Sequence, residues 1–348
     1  MVTIGVDLHK RTHTLVVTDA NGQRLANRSV KATVDGHEEA LRWSRRWPER
    51  TWALEDCRHM SRRFEADLVV AGEAVVRVPP KLMAEVRQSA RTRGKSDPID
   101  ALAVARAALR EPNLPVARLD GVAREIRLLL DHREDLVAER TRVQNRLRGH
   151  LHELDPGNEP ASRSLDRAKV LAGLDQQLAI LPGMVARLAR IQVVRCRELT
   201  AQINELEDEL AVRVQELAPT LLELHGCGPL SAAKLIGEVA GIGRFRSRAA
   251  FAMYNGTAPI PAWSGNRDHH RLNRGGNRQI NAALHRIAIT QMRSGPGHDY
   301  YEGRRAAGDT KKEAIRALKR RISDEVYRRL WADEQGTESN PSGLETAA

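Results

Sequence analysis

Residues 2–30 read VTIGVDLHKRTHTLVVTDANGQRLANRSV, and this stretch decides the fold. VTIGVDL (2–8) and HTLVVT (13–18) are short apolar runs rich in β-branched residues, the composition of buried strands. Asn21-Gly22 then marks a hairpin, because both residues tolerate positive φ, and QRLANRSV follows as its second arm. Asp7 sits near the end of the first run, behind Ile4 and Val6. A carboxylate in such a run is costly without a partner, which makes it a candidate for chemistry.

Further along, residues 36–47 have helical spacing, and 51–54 form a short apolar strand that ends at Glu55. A helix over 59–71 and a strand over 74–78 follow, the latter stopped by Pro79-Pro80; a helix from Asp97 to Leu109 closes the region. The order β-β-β-α-β-α-β-α is an α/β layer arrangement led by a hairpin, expected to form a first domain over 1–115. Pro112 and Pro115 punctuate the chain. Leu129, Leu136 and Val143 then step by seven within a helix over 121–154, and Leu199, Ile203, Leu206, Leu210, Val214 and Leu217 line a second long helical region over 163–218, broken near Pro182-Gly183. This predicts a helical hairpin or coiled-coil connector over 120–218. Seams of that length call for a covering partner, so pairing between subunits is expected. Residues 220–330 are mainly helical with Gly-rich loops, and 331–348 are expected as a flexible acidic tail.

The chain of 348 residues carries 56 Lys and Arg against 45 Asp and Glu, a net charge of +11. Arginine dominates, which suits phosphate recognition but equally follows from a GC-rich coding sequence. Only 3% of residues are aromatic, which argues against a base-stacking sheet platform. No apolar stretch reaches membrane-spanning length, and MVTIGVDLHK has no signal-peptide pattern. Cys57, Cys196 and Cys227 make no CxxC, so a reduced cytoplasm and no zinc site are expected. From Trp263 to Leu330 sixteen basic residues face seven acidic ones. A folded core with a basic end points to nucleic acid, and leaves nuclease, regulator and architectural protein open.

Four acids in the first region narrow that choice. Asp7 and Glu55 stand at the ends of two strands, and Asp97 and Asp100 share a face of one helix at i, i+3. Asp56 adjoins Glu55, and strand alternation can present either. Asp97 and Asp100 also suit a first helical turn for the dipole alone. Together the four have the layout of the RNase H-like fold, in which acids converge on two divalent metals. Carboxylates suit Mg²⁺, and two such ions can stabilise the attacking and leaving oxygens at a phosphodiester.

In the C-terminal region, Leu224-His225-Gly226-Cys227-Gly228-Pro229 reads as a turn between helices of the helix-hairpin-helix kind. Gly226 and Gly228 would let backbone amides face a DNA phosphate; a plain helix–helix connection is the alternative. Ser264 lies in a Pro/Gly loop just before Arg267, His269, His270, Arg271, Arg274 and Arg278. Its hydroxyl could attack phosphorus beside arginines that steady the added charge, or it could simply be a turn residue.

Ile4-Gly5-Val6-Asp7-Leu8-His9-Lys10, Glu55, Ser96-Asp97-Pro98-Ile99-Asp100-Ala101 and Pro261-Ala262-Trp263-Ser264-Gly265 after the Gly hairpin together resemble an insertion-sequence transposase family. Its members join a RuvC-like DEDD domain to a C-terminal serine transposase domain; they are the bridge-RNA-guided recombinases. The resemblance covers about residues 2–330. It implies that Asp7, Glu55, Asp97 and Asp100 hold Mg²⁺ and that Ser264 is the nucleophile joining DNA covalently. It further implies a noncoding guide RNA, a homodimer or tetramer, and action on DNA in the cytoplasm at the nucleoid. One departure stands out: the family's glycine shortly after the strand-end Glu is missing from Glu55-Asp56-Cys57-Arg58-His59-Met60. A metal-dependent junction endonuclease that uses water is the alternative enzyme, and a noncatalytic DNA-binding protein the alternative outside enzymes.

Overall fold

Ile4, Val6 and Leu8 of β1 (Val2–Leu8) enter an apolar core on one face of a five-stranded sheet, while Gly5 faces the other way. The computed structural model describes residues 1–55, 60–79, 82–83, 96–111, 114, 116–117, 121–157, 159–261, 270–271, 273 and 275–338. They fall into two compact units, Met1–Asp120 and Gly121–Ala348.

In the first unit β2 (Thr12–Thr18) and β3 (Arg24–Lys31) form the hairpin, and β4 (Arg50–Glu55) and β5 (Val75–Val78) add to the other side. The order is β3-β2-β1-β4-β5, antiparallel in the hairpin and parallel from β1 through β5. Helix α1 (Val34–Ser44) leads from the hairpin to β4, and α2 (Arg62–Val70) connects the parallel strands β4 and β5. One face buries Trp52, Leu54, Phe64 and Leu68 with the β1 residues; the opposite face buries Ala53 and Val78 against Ala103, Val104 and Ala107 of α3 (Asp97–Arg110). This is the expected α/β unit, with β1 central and covered on both faces.

In the second unit the helices α4 (Gly121–Leu154) and α6 (Met184–Leu217) run antiparallel: Arg213 bonds Glu125, Arg133 bonds Glu207, and Arg195 bonds Glu139. Helix α5 (Ala168–Ala179) covers one end through Leu171, Leu174 and Leu178. Leu199, Ile203, Leu210 and Val214 are therefore buried within the chain. This corrects the argument for pairing between subunits: α4 and α5 cover the seam, so the seam itself calls for no second copy.

At the other end of the hairpin Ile126, Leu130, Leu210 and Val214 share a core with α7 (Pro219–Leu222), α8 (Pro229–Val239), α9 (Arg248–Asn255), α10 (Arg278–Gln291) and α12 (Lys311–Glu338). Packing thus continues across the boundary expected near residue 219. Helix α11 (Pro296–Ala306) lies between α10 and α12 in sequence, and a two-stranded stem, β6 (Ile260–Pro261) with β7 (His270–Arg271), precedes α10.

The acidic tail expected from residue 331 is also corrected, because α12 continues to Glu338. Buried Asp333 accepts the amide of Thr220 at 3.1 Å, and Glu334 accepts those of Ile242 and Gly243 at 2.8 and 3.0 Å. Two acids that composition marks as solvent-facing satisfy amides that would otherwise lack partners. Residues 339–348 lie outside the described residues.

Candidate metal centre

Gly5 determines how the acids meet. A Cβ there would stand 2.2 Å from the Ala101 carbonyl oxygen and 2.5 Å from the Ala105 nitrogen, so only glycine lets α3 lie directly on β1. Asp7 follows two residues later on the same face, by strand alternation. Asp97 and Asp100 occupy the first turn of α3.

Asp7 is buried and Asp97 is exposed. His9 lies between them, its Nε2 3.0 Å from Asp7 Oδ2 and 3.5 Å from Asp97 Oδ1. One ligand atom from each of the three lies within 4.8 Å of the others. Burial pushes the Asp7 carboxyl above the usual carboxylate range; His9 works against that, and the charges of Asp100 and Asp97 add to it. Carboxylates crowded at a half-buried strand end favour a cation between them, and this donor set fits a divalent metal.

Glu55 follows Leu54, the partner of Val6 in the parallel pairing, and so stands at the register position beside Asp7. Its carboxylate is outside the 4.8 Å group, and Asp56 lies outside the described residues. The structure therefore gathers Asp7 and Asp97, keeps Asp100 within electrostatic reach, and holds Glu55 on the adjacent strand. Sequence reading missed His9 as a member of the group. The available signal was its spacing: two residues past Asp7 on an extended chain is the same face.

On the other face of the sheet His13 and His37 are buried with Phe64. Their Nε2 atoms are 3.3 Å apart, and His37 Nδ1 meets Asp67. Burial, then the neighbouring His37, pushes His13 down to about 4, and its Nδ1 has no partner among the described residues. The network assigns a neutral His13 that donates from Nε2 to His37, with His37 donating to Asp67.

In the second unit Gly226 has φ of +84°, and a Cβ on it would stand 2.9 Å from Cβ of Thr290. Its lack of a side chain therefore serves packing on α10. Gly228 precedes α8 in open space, and the helix before the turn is the four-residue α7. Burial pushes the thiols of Cys196 and Cys227 up to about 11 and about 12, so both are inert core residues. Ser264, Arg267 and Arg274 lie outside the described residues, and Arg271 is described through its backbone alone. Stem strands β6 and β7 bracket Ser264 in the chain, and Arg278 opens α10.

A carboxylate cluster on a mixed α/β sheet can hold a divalent metal, and such a metal can serve chemistry at a phosphodiester. Comparison with known proteins identifies the family. A transposase family model, DEDD Tnp IS110, matches residues 4–156, and the transposase model of the IS116/IS110/IS902 family matches residues 218–302. The chain is 27% identical to the 44.8 kDa insertion element IS116 protein of Streptomyces clavuligerus, over 95% of this chain and 94% of that one. It is 28% identical to the 43.6 kDa insertion element IS110 protein of Streptomyces coelicolor, over 80% of this chain and 81% of that one. Among solved structures, Thermus thermophilus RuvC in complex with a Holliday junction substrate matches 34% of this chain and 99% of its own, at 14% identity and a TM-score of 0.27. The chain belongs to the IS110/IS116 family of transposases, enzymes that cleave and rejoin DNA.

Proposed function

We propose that the protein moves its insertion element by cutting DNA at two cooperating centres, the Asp7 cluster and Ser264. The observation that carries this reading is the meeting of Asp7, His9 and Asp97 at the end of β1, with Asp100 close by. Asp7, Asp97, Asp100 and Glu55 would hold divalent metal, Mg²⁺ in the first instance. A bound ion of that kind polarises a phosphoryl oxygen and neutralises charge on the phosphodiester. His9 orients the Asp7 carboxylate through their hydrogen bond and shields its buried charge.

Ser264 supplies the nucleophile. Its Oγ forms a bond to phosphorus as the bond from phosphorus to one sugar oxygen breaks, and the hydroxyl proton passes to the departing oxygen. Arg267, Arg271, Arg274 and Arg278 hold the phosphate oxygens, and the turn at Gly226 and Gly228 offers amides to the backbone of the same DNA. The covalent link conserves the energy of the broken bond for rejoining. A noncoding RNA from the element chooses the target by base pairing, and assembly into a dimer or tetramer brings the ends together. Finding a structured noncoding stretch beside the gene would support the RNA, and its absence would remove the RNA from the proposal.

Trapping tests the chemistry. Purified protein is mixed with a junction substrate and Mg²⁺ and then denatured, and protein–DNA adducts are counted for wild type, Ser264→Ala and Asp7→Asn. Loss of adduct in both variants is the expected result. Undiminished adduct in Ser264→Ala would eliminate that serine, and free cut ends without adduct would make the protein a hydrolytic junction nuclease instead.

A further inference from the structure

Helices α10 and α12 pack together and bring a basic strip from each side by side. Arg278, Asn281 and His285 recur along α10 at i, i+3 and i+7, and Arg316 and Lys319 stand at i and i+3 on α12. Lys319 Nζ donates to Asn281 Oδ1 at 2.6 Å. Asn281 in turn donates to the carbonyl of Asn255 at 2.9 Å, and wholly buried Asn255 donates to Ser323 at 2.7 Å. The acceptor of the ammonium group is therefore held firmly, and it is a neutral amide.

Burial, then the charges of Arg278 and Arg316, pushes Lys319 down to about 8. Burial and the charge of Lys319 likewise push His285 below its usual range. Among the described residues no carboxylate bonds to Arg278, His285, Arg316 or Lys319. Three other cations of α12 are paired, Arg320 with Asp324, Arg328 with Glu325, and Arg329 with Glu325 and Glu223, while Arg321 lies over the Tyr300 ring. A partly buried ammonium among like charges, with an amide as its partner, is unfavourable in the free protein. An anion placed there would reverse that balance.

We propose that Arg278, Arg316 and Lys319, with Asn281 and His285 at their side, form a binding site for a backbone phosphodiester of nucleic acid. The two exposed guanidinium groups offer paired N–H donors to its oxygens, and the Lys319 ammonium supplies charge from beneath. The site begins at the first turn of the helix that follows the β6–β7 stem, so a strand held there is anchored next in sequence to the Ser264 loop. The inference rests on the reading that nucleic acid is the substrate, and adds to it a specific contact from the last helix of the chain.

Full-length protein is titrated onto a labelled DNA duplex and onto an RNA duplex of the same sequence, across a salt series. The variants are Lys319→Gln, Arg316→Gln and Arg328→Gln. Arg328 loses the same charge nine residues along α12 from Lys319, on the opposite side of the helix. Each of the first two should weaken binding several-fold and reduce the slope of log affinity against log salt by about one unit, the loss of one phosphate contact. Arg328→Gln should leave the slope unchanged. A loss confined to the DNA or to the RNA arm supports the site and identifies its source. Equal slopes for all four proteins on both duplexes overturn the site. If Lys319→Gln unfolds, exposed Arg316 alone decides the result. Adduct trapping with wild type and Asp7→Asn is independent of this measurement, so equal slopes together with a wild-type adduct that Asp7→Asn loses would remove the site and leave the transposase chemistry standing.

Discussion

The carbonyl oxygen of Ala101 lies where a side chain on Gly5 would have to go, at 2.2 Å from an ideal Cβ. Gly5→Ala must therefore lift α3 from β1 and with it Asp97 from Asp7. Overpacking of this kind costs about 1–3 kcal/mol. We expect a urea midpoint lowered to match, and a smaller Mn²⁺-induced rise in melting temperature. Gly149→Ala is the control: that glycine is inside α4 with open space around it, and its replacement should stabilise by about 0.5–1 kcal/mol. Equal effects of the two substitutions would contradict the packing argument.

His9 offers an imidazole nitrogen where the sequence suggested only carboxylates. Imidazole suits Mn²⁺ better than Mg²⁺, which prefers a shell of hard oxygens. Calorimetric titration of His9→Ala should show Mn²⁺ affinity falling about tenfold and Mg²⁺ affinity falling less, within the range seen for altered ligand shells. If both fall alike, His9 acts only by orienting Asp7.

Acid should destabilise the first unit through His13. Its pKa is about 4 in the fold, below an ordinary value of 6.5, so the unfolded chain takes up a proton first. The stability tied to its neutral form is complete above pH 6.5 and is lost as pH falls from 6.5 towards 4. Between pH 7 and pH 5 the loss is about 2 kcal/mol. Urea unfolding at the two pH values should show it for wild type and much less for His13→Gln. His37 from α1 and Phe64 from α2 face His13, the charge of His9 also acts on it, and Asp67 of α2 meets His37 on the far side.

Glu334→Gln should loosen the turn at Gly241–Gly243, because one carboxylate oxygen accepts two amides there. Charge-assisted bonds of this type are worth about 1.5–3 kcal/mol, and hydrogen exchange at the Ile242 and Gly243 amides should accelerate accordingly. Unchanged exchange would mean that water replaces the carboxylate without loss.

Much of the first unit was legible because its signals are local. Alternating apolar runs, Asn21-Gly22 and the Pro stops fix the strands, and i, i+3 spacing places Asp97 and Asp100 on one face. Long-range facts were not legible. No local pattern says that α4 and α5 cover the Leu199–Leu217 seam within the chain, since a partner helix and a second subunit satisfy the same periodicity. Nor does composition reveal that Asp333 and Glu334 are bound to amides more than ninety residues away in sequence. His9 was hidden for a different reason: an acid tetrad draws attention to carboxylates, and the nearest nitrogen passes as an ordinary loop residue. For Ser264 the chain offers a hydroxyl, a turn and neighbouring arginines, so its role rests on family likeness.

Helix α12 also bears on the order in which the protein is made. The amides of Thr220, Ile242 and Gly243 wait for carboxylates that the ribosome adds about a hundred residues later, and the Tyr327 hydroxyl reaches back to the Phe245 carbonyl. While it is still being translated, the second unit has its long hairpin but lacks the helix that ties down its turns. A nascent chain therefore has the whole of the first unit before the helix that ties down the turns of the second has been made.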